Sequence, residues 1–83
     1  MKVKRIDLDD EEMPESVLVE LSHDEAAYLA LLIGKQNSND MNEVMSGGAV
    51  HGGAVYDGLT GSLFNRFYED GVDGAVRAIR LRP

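Results

Sequence analysis

Cysteine and tryptophan are both absent from this chain of 83 residues. Without cysteine the chain has neither disulfides nor thiolate metal sites, two of the devices that commonly stabilise small domains. Self-association is a third such device, and we therefore expect a homo-oligomer. The absence of cysteine is also typical of a reducing compartment, so we expect the protein in the cytoplasm.

Long apolar runs are missing as well. No stretch reaches the roughly 18 apolar residues that a membrane span requires. The basic residues near the start are not followed by an apolar segment, as they would be in a secretory signal. We therefore expect neither export nor a membrane partner.

Positive charge is scarce, with 8 lysines and arginines against 15 aspartates and glutamates and a net charge of −7. This balance disfavours direct binding of nucleic acid and favours basic partners. The acids are concentrated in residues 7–15, which we interpret as a solvated loop or, alternatively, as a nucleic-acid mimic that faces a basic protein target. The cations form two clusters, residues 2–5 and 77–82, which would repel each other at close range unless acids or an anion lay between them.

Catalytic and metal-binding patterns are also lacking. His23 and His51 are the only histidines, and neither has a second ligand at metal spacing. There is no cysteine nucleophile and no serine nucleophile elbow, and the carboxylates of a solvated loop lack the burial that general acids and bases use. We therefore expect no enzymatic activity, no metal and no cofactor, and we interpret His23 as a residue of a first helical turn.

The apolar pattern predicts one small α+β domain that begins with a short β-hairpin. Residues 2–8 and 17–21 alternate between apolar and polar side chains, with Val17, Val19 and Leu21 on one side of the second strand. The segment between them is polar and contains a proline, so it forms the connection. Its short length favours antiparallel pairing of the two strands.

A two-helix antiparallel hairpin is expected next. Ser22 and Glu25 form a capping box at the start of the first helix, which ends at Gly34. A second helix is predicted from about residue 53 to residue 69, after a polar segment with room for one short helical turn. The two helices should pack through apolar residues at three- and four-residue spacing, namely Val55, Tyr56, Leu59, Leu63 and Phe67 against Leu29, Leu32 and Ile33.

The C-terminal segment, residues 75–81, suits two structures. Val76 and Ile79 have helical spacing, whereas Ile79 and Leu81 have strand spacing. We favour a third, C-terminal strand, because three strands make a more stable sheet than two.

The joint before the second helix repeats one motif, GGAVH and then GGAVY. Glycines ahead of a helix leave backbone N–H groups open, and together with the helix dipole these can bind a phosphate or carboxylate. Neither the Walker nor the dinucleotide-binding spacing is present, and a flexible interhelical loop is the alternative. The predicted site for a small anionic ligand, such as a nucleotide, comprises Ser46, Gly47, Gly48, His51, Gly52, Gly53 and Tyr56, with help from Arg77 and Arg80.

Two glycines inside the second helix, Gly58 and Gly61, each cost that helix about 1 kcal/mol relative to alanine. On a helical wheel they lie opposite the apolar face, where a surface helix normally carries lysine, glutamate or glutamine. Small residues allow another backbone or a flat ligand to come close, whereas the alternative is that surface glycines are simply tolerated. The predicted interface comprises Ala54, Gly58, Gly61, Phe64 and Tyr68.

The order of a strand, the capped helix SHDEAAYLALLIG, a glycine joint and the helix AVYDGLTGSLFNRF resembles small accessory proteins encoded by bacteriophages. The resemblance covers residues 17–68. It implies a protein of the host cytoplasm that counters host defence, either by blocking a protein or by sequestering a nucleotide second messenger. Our first hypothesis is therefore a non-enzymatic binding protein that sequesters such a nucleotide. The alternatives are an acidic protein–protein inhibitor that acts through residues 7–15 and a structural, oligomer-forming phage protein.

Overall fold

An antiparallel two-stranded sheet opens the protein in a computed structural model that describes all 83 residues. Strand β1 (Lys2–Leu8) pairs with strand β2 (Pro14–Glu20). Four helices follow, so the α+β class and the N-terminal hairpin are confirmed.

The helices differ in number and bounds from the two that the sequence predicts. Helix α1 spans His23–Gly34, helix α2 spans Ser38–Val44 and helix α3 spans Gly48–Leu59. Helix α3 continues through a π-helical turn (Thr60–Phe64) into one last turn (Asn65–Phe67), and we call this continuous unit the long helix. A separate C-terminal helix spans Val72–Arg80.

The strand register gathers the apolar side chains of both strands on one face. Val3 pairs with Val19 and Ile6 pairs with Val17, so these four side chains project from the same side of the sheet. The register shifts at Lys4, where β1 carries one extra residue. This β-bulge turns Val3 to the same side as Ile6, although the two are three positions apart.

Helix α1 begins as the sequence predicts. The Ser22 hydroxyl accepts a hydrogen bond from the Glu25 N–H at 3.1 Å, and the Glu25 carboxylate accepts one from the Ser22 N–H at 2.9 Å. The two bonds complete the capping box and satisfy donors that the helix itself leaves unpaired.

The hydrophobic core is small and lies among the helices. It consists of Ala26, Ala27 and Ala30 of α1, with Phe64 and Ala75 packed against them. Alanines allow the helices to approach closely, and only seven of the 83 residues are buried, so the core is marginal for a chain of this size. The predicted helix contact is partly wrong, since Leu32 and Val55 are exposed.

The long helix differs in phase from the predicted one. A π-helical turn contains more residues than an α-helical turn, so Thr60–Phe64 rotates every side chain after it relative to a regular α-helix. Phe64 is fully buried and Tyr68 packs beside it, whereas Phe67 is 65% exposed. The prediction that placed Phe64 and Tyr68 away from the core is therefore wrong, because it assumed an unbroken α-helix.

The C-terminal segment is a helix, so the predicted third strand is wrong. Gly71, at a φ of +62°, turns the chain into this helix. Val72, Ala75 and Ile79 then lie on one side at helical spacing and pack against the core. Leu81, which the strand interpretation required beside Ile79, is 84% exposed.

Helix α3 begins at Gly48 and not near residue 53, because the glycines let α2 pack against its first turn. A Cβ on Gly48 would lie 1.9 Å from the carbonyl oxygen of Met41, a contact that no other residue type permits. Asn37 caps α2 by accepting the N–H of Asp40 at 2.9 Å. The repeated GGAV motif is thus helical and is not an open loop.

The hairpin stands apart from the helices. The helices pack mainly on one another and make at most slight contact with the strands, and every residue of both strands is exposed. The radius of gyration of 14.8 Å exceeds the value of about 12 Å expected for a compact chain of this length. None of the helices combines the length and the apolar character that crossing a bilayer requires.

Candidate functional site

One face of the hairpin is apolar and uncovered. Val3, Ile6, Leu8, Val17 and Val19 form it, and each is between 41% and 55% exposed. We call these five side chains the apolar hairpin face. A two-stranded hairpin is marginally stable in water unless a further strand or a helix covers it. This hairpin has neither, so it lacks the cover that such a structure needs.

The opposite face of the hairpin is polar and internally paired. Arg5 Nε lies 3.1 Å from a carboxylate oxygen of Asp7, and Lys4 Nζ lies 2.9 Å from one of Glu20. Leu18, which pairs with Arg5, is the large apolar side chain on this side. The alternation that predicts the strands therefore also separates an apolar face from a charged one.

The acidic run forms an ordered turn at the far end of the hairpin. A carboxylate oxygen of Asp9 accepts hydrogen bonds from the N–H groups of Glu11 and Met13, at 2.8 and 3.0 Å. No lysine or arginine pairs with any carboxylate of this turn. We call its five acids, whose charges are not neutralised locally, the acidic tip: Asp9, Asp10, Glu11, Glu12 and Glu15.

At the opposite end of the hairpin, the amino group of Met1 and the guanidinium of Arg82 each pair with an acid in the first turn of α1. The amino group of Met1 binds Glu25, and Arg82 donates to Asp24 at 2.7 Å. The Met1 amino group is the main cause that lowers the pKa of Glu25 to about 2. Arg82, and after it His23, lowers the pKa of Asp24. The first turn of α1 thus neutralises the N-terminal amino group and Arg82.

Two N–H groups of the glycine joint are already engaged within the protein. The N–H of Gly48 donates to the carbonyl of Met45, and the N–H of Ala49 donates to the side-chain oxygen of Asn42, both at 2.9 Å. An anion at a helix start depends on such groups being free. Here α2 and the turn that follows it already satisfy two of them.

A shallow depression of about 170 Å³ lies between α2 and the start of α3. It includes three predicted ligand residues, Gly48, His51 and Gly52, whereas Ser46, Gly47 and Gly53 do not line it. Tyr56 lies elsewhere, against Gly34 at the end of α1. The depression has no lysine or arginine, and its lining is Gln36, Met41, Val44, Met45, Gly48, His51 and Gly52.

Two further predicted ligand residues, Arg77 and Arg80, lie in the last turn of the C-terminal helix. The residue Arg82, just beyond that turn, meets the first turn of α1, whereas the joint lies beside the last turn of α1, where Gly52 faces Ile33. The guanidinium of Arg77 is already paired with an aspartate ahead of its own helix. The structure therefore does not bring the arginines and the joint together.

The predicted small-residue interface is divided. Ala54, Gly58 and Gly61 are exposed, and a Cβ on either glycine would meet no atom within 4 Å. Phe64 turns inward instead at the end of the π-helical turn, and Tyr68, which follows the helix in an extended conformation, packs beside it. The exposed part is a smooth strip without an aromatic border.

His23 belongs to a hydrogen-bonded chain that the sequence analysis missed. Its Nε2 lies 2.6 Å from the hydroxyl of Tyr68, and its Nδ1 lies 2.9 Å from a carboxylate oxygen of Asp24. Phe64 packs edge-on to the imidazole ring, with 6.0 Å between ring centres. This chain ties the first turn of α1 to the end of the long helix. No local signal could have revealed it, because 45 positions separate His23 from Tyr68.

No three histidine, aspartate or glutamate side chains come close enough to hold a metal ion. Comparisons of this chain with protein-family models, with curated proteins and with solved structures find no match.

Proposed function

We propose that this protein is a non-enzymatic binding protein that acts through protein–protein contact at the apolar hairpin face. The observation that carries the proposal is the exposure of Val3, Ile6, Leu8, Val17 and Val19 on one side of a hairpin that no helix covers. Contiguous exposed apolar patches with a polar rim are typical of surfaces that bind other proteins.

The structure around this face favours a folded protein as its partner. The face lies on paired strands, so backbone hydrogen bonds set its shape. The acidic tip at one end adds a rim of uncompensated negative charge. Such a rim favours a basic counterpart and increases the rate of encounter with it.

Sequestration of a nucleotide second messenger stays a prediction, and the geometry gives it less support. The N–H groups of Gly48 and Ala49 are engaged within the protein. Arg82, which follows the helical turn that holds Arg77 and Arg80, meets the end of α1 away from the joint. The origin in a bacteriophage, the action against host defence and the cytoplasmic location also stay predictions. Inhibition of a basic protein target is compatible with the proposed contact.

The proposal is tested by site-specific photo-crosslinking in the cells that make the protein. A photoreactive side chain replaces Val17 on the apolar hairpin face or Leu18 on the opposite face. The two residues are neighbours and are 53% and 51% exposed, so they differ in face and hardly in accessibility. We expect a discrete protein adduct from position 17 and none from position 18. Equal adducts from both positions, or none from position 17, would contradict the proposal.

A further inference from the structure

We infer that the apolar hairpin face is covered by the same face of a second copy, packed antiparallel, so that each acidic tip reaches the basic end of the partner hairpin. The inference rests on the proposed function, to which it adds the identity of the partner. It places self-association on the hairpin and not on the strip of Ala54, Gly58 and Gly61 that the sequence suggested.

A second copy of the chain is a partner that is available wherever the protein is made. The hairpin needs a covering layer for its own stability, and none of the helices of the described chain supplies one. A twofold arrangement lays the apolar hairpin face on itself, so that Ile6 and Val17 of each copy meet the apolar side chains of the other. Such isologous contacts are the commonest basis of soluble dimers.

Pairing of the faces is favoured over pairing of the strand edges. An edge that accepts another strand must be long and regular, and bulges, prolines and charges protect edges from such pairing. Strand β1 has its bulge at the charged residue Lys4, next to Arg5, and strand β2 begins at Pro14 with a second register shift beside it. The exposed apolar face has no such protection.

Electrostatic repulsion distinguishes a parallel from an antiparallel arrangement of the two hairpins. A parallel arrangement would bring the two acidic tips together, with ten carboxylates that no lysine or arginine neutralises. In the antiparallel arrangement the tips lie at opposite ends of strands about 23 Å long. That separation is more than twice the screening length of about 8 Å at physiological salt, so their repulsion is largely removed.

The end of the hairpin away from the tip offers the complementary charge. It carries three cations, the amino group of Met1, the side chain of Lys2 and the guanidinium of Arg82, beside the carboxylates of Glu20, Asp24 and Glu25. Met1 and Arg82 are engaged with Glu25 and Asp24, whereas Lys2 makes no ion pair. We call this the basic end of the hairpin. In the antiparallel arrangement an acidic tip therefore meets the unpaired charge of Lys2 and is far from the other acidic tip.

The experiment is sedimentation equilibrium of the purified chain and of charge variants. The tip variant carries Asp10→Lys and Glu11→Lys, whose side chains make no hydrogen bond within the turn. Its control carries Glu43→Lys and Asp57→Lys, the same change of net charge on exposed residues of α2 and α3. We expect a wild-type dimer, a control dimer at least as tight, and a tip-variant dimer about tenfold weaker or more.

Mixing two variants supplies a second readout. A tip variant that associates with another variant is folded, so its weak self-association does not result from unfolding. Lys2→Glu reverses the unpaired charge at the basic end, and its equimolar mixture with the tip variant should associate more tightly than either variant alone. A wild-type monomer, or a tip variant that dimerises as tightly as its control, would overturn the inference. A tip variant that dimerises more tightly than its control would indicate parallel hairpins and would overturn it too. If crosslinking at Val17 captures a different protein while the chain sediments as a monomer, the proposed function survives and this inference fails.

Discussion

Phe64 and Phe67 lie three residues apart on one continuous helix, yet Phe64 is fully buried and Phe67 is 65% exposed. The π-helical turn Thr60–Phe64 produces this difference, because it rotates the residues that follow it. In an unbroken α-helix Phe67 would continue the apolar face of Leu59 and Leu63. The burial of Phe64 and the exposure of Phe67 therefore show that the π-helical turn rotates the end of the helix.

Truncating the two phenylalanines should have very different effects. Phe64→Ala leaves a cavity among Ala26, Ala30 and Ala75 and should cost about 3–5 kcal/mol, enough to unfold much of a domain with so small a core. Phe67→Ala should cost about 1 kcal/mol or less, because Phe67 contacts mainly solvent and the guanidinium of Arg66. Thermal unfolding followed by circular dichroism measures both. A larger loss from Phe67→Ala would contradict the observed phase.

Gly48 should tolerate no side chain, although glycine is a poor helix former. Gly48→Ala places a Cβ against the carbonyl of Met41, and we expect a loss of about 1–3 kcal/mol as α2 is displaced. Gly58→Ala is the matched control, since a Cβ there meets no atom within 4 Å and should stabilise the helix by up to about 1 kcal/mol. Urea unfolding of the two variants should give changes of opposite sign. Two changes of the same sign would refute the close packing of α2 on α3.

Removing the charge of Glu25 should change how stability depends on pH. The pKa of Glu25 falls to about 2 in the folded protein, so its contribution is complete above its ordinary pKa of 4.5 and is lost as the pH falls towards 2. Glu25→Gln can keep the capping-box hydrogen bond but not the charge. The gap in melting temperature between wild type and this variant should be widest at pH 7 and should close near pH 2.

A control for that experiment lies on the acidic tip. Glu11→Gln removes a carboxylate that makes no ion pair, so it controls for the loss of one negative charge. A gap between wild type and Glu25→Gln that stays constant from pH 7 to pH 2 would mean that Met1 and Glu25 are not paired in solution.

The parts of the fold that the sequence predicts correctly are those with short-range signals. The alternation around Val17 and Val19 needs only its own strand, and the capping box of Ser22 and Glu25 needs only four residues. The C-terminal segment was ambiguous because Ile79 suits both periods, and packing against α1 decided for the helix. The start of α3 was mistaken because glycine disfavours helices in general, whereas at Gly48 a neighbouring carbonyl requires it.

The sequence shows which residues of the candidate site are apolar but not whether they are exposed. That Ile6, Val17 and Val19 are apolar and alternate with charges can be read directly, but whether anything covers them depends on where the helices pack. The predicted ligand site failed to assemble for a similar reason, since the positions of Gly52 and Arg77 relative to α1 are set by tertiary contacts. The burial of Phe64 is not predicted because no residue pattern indicates a π-helical turn.

The central claim is that the apolar hairpin face is a contact surface for a second copy of this protein. Sedimentation equilibrium of wild type, Val17→Lys and Leu18→Lys tests it most directly, because the two substitutions add the same charge at neighbouring, equally exposed positions. We expect Val17→Lys to weaken the dimer about 100-fold, since each copy loses a buried valine and gains a buried charge, while Leu18→Lys leaves the dimer as tight as in the wild type. A monomeric wild type, or equal effects of the two substitutions, would contradict the account.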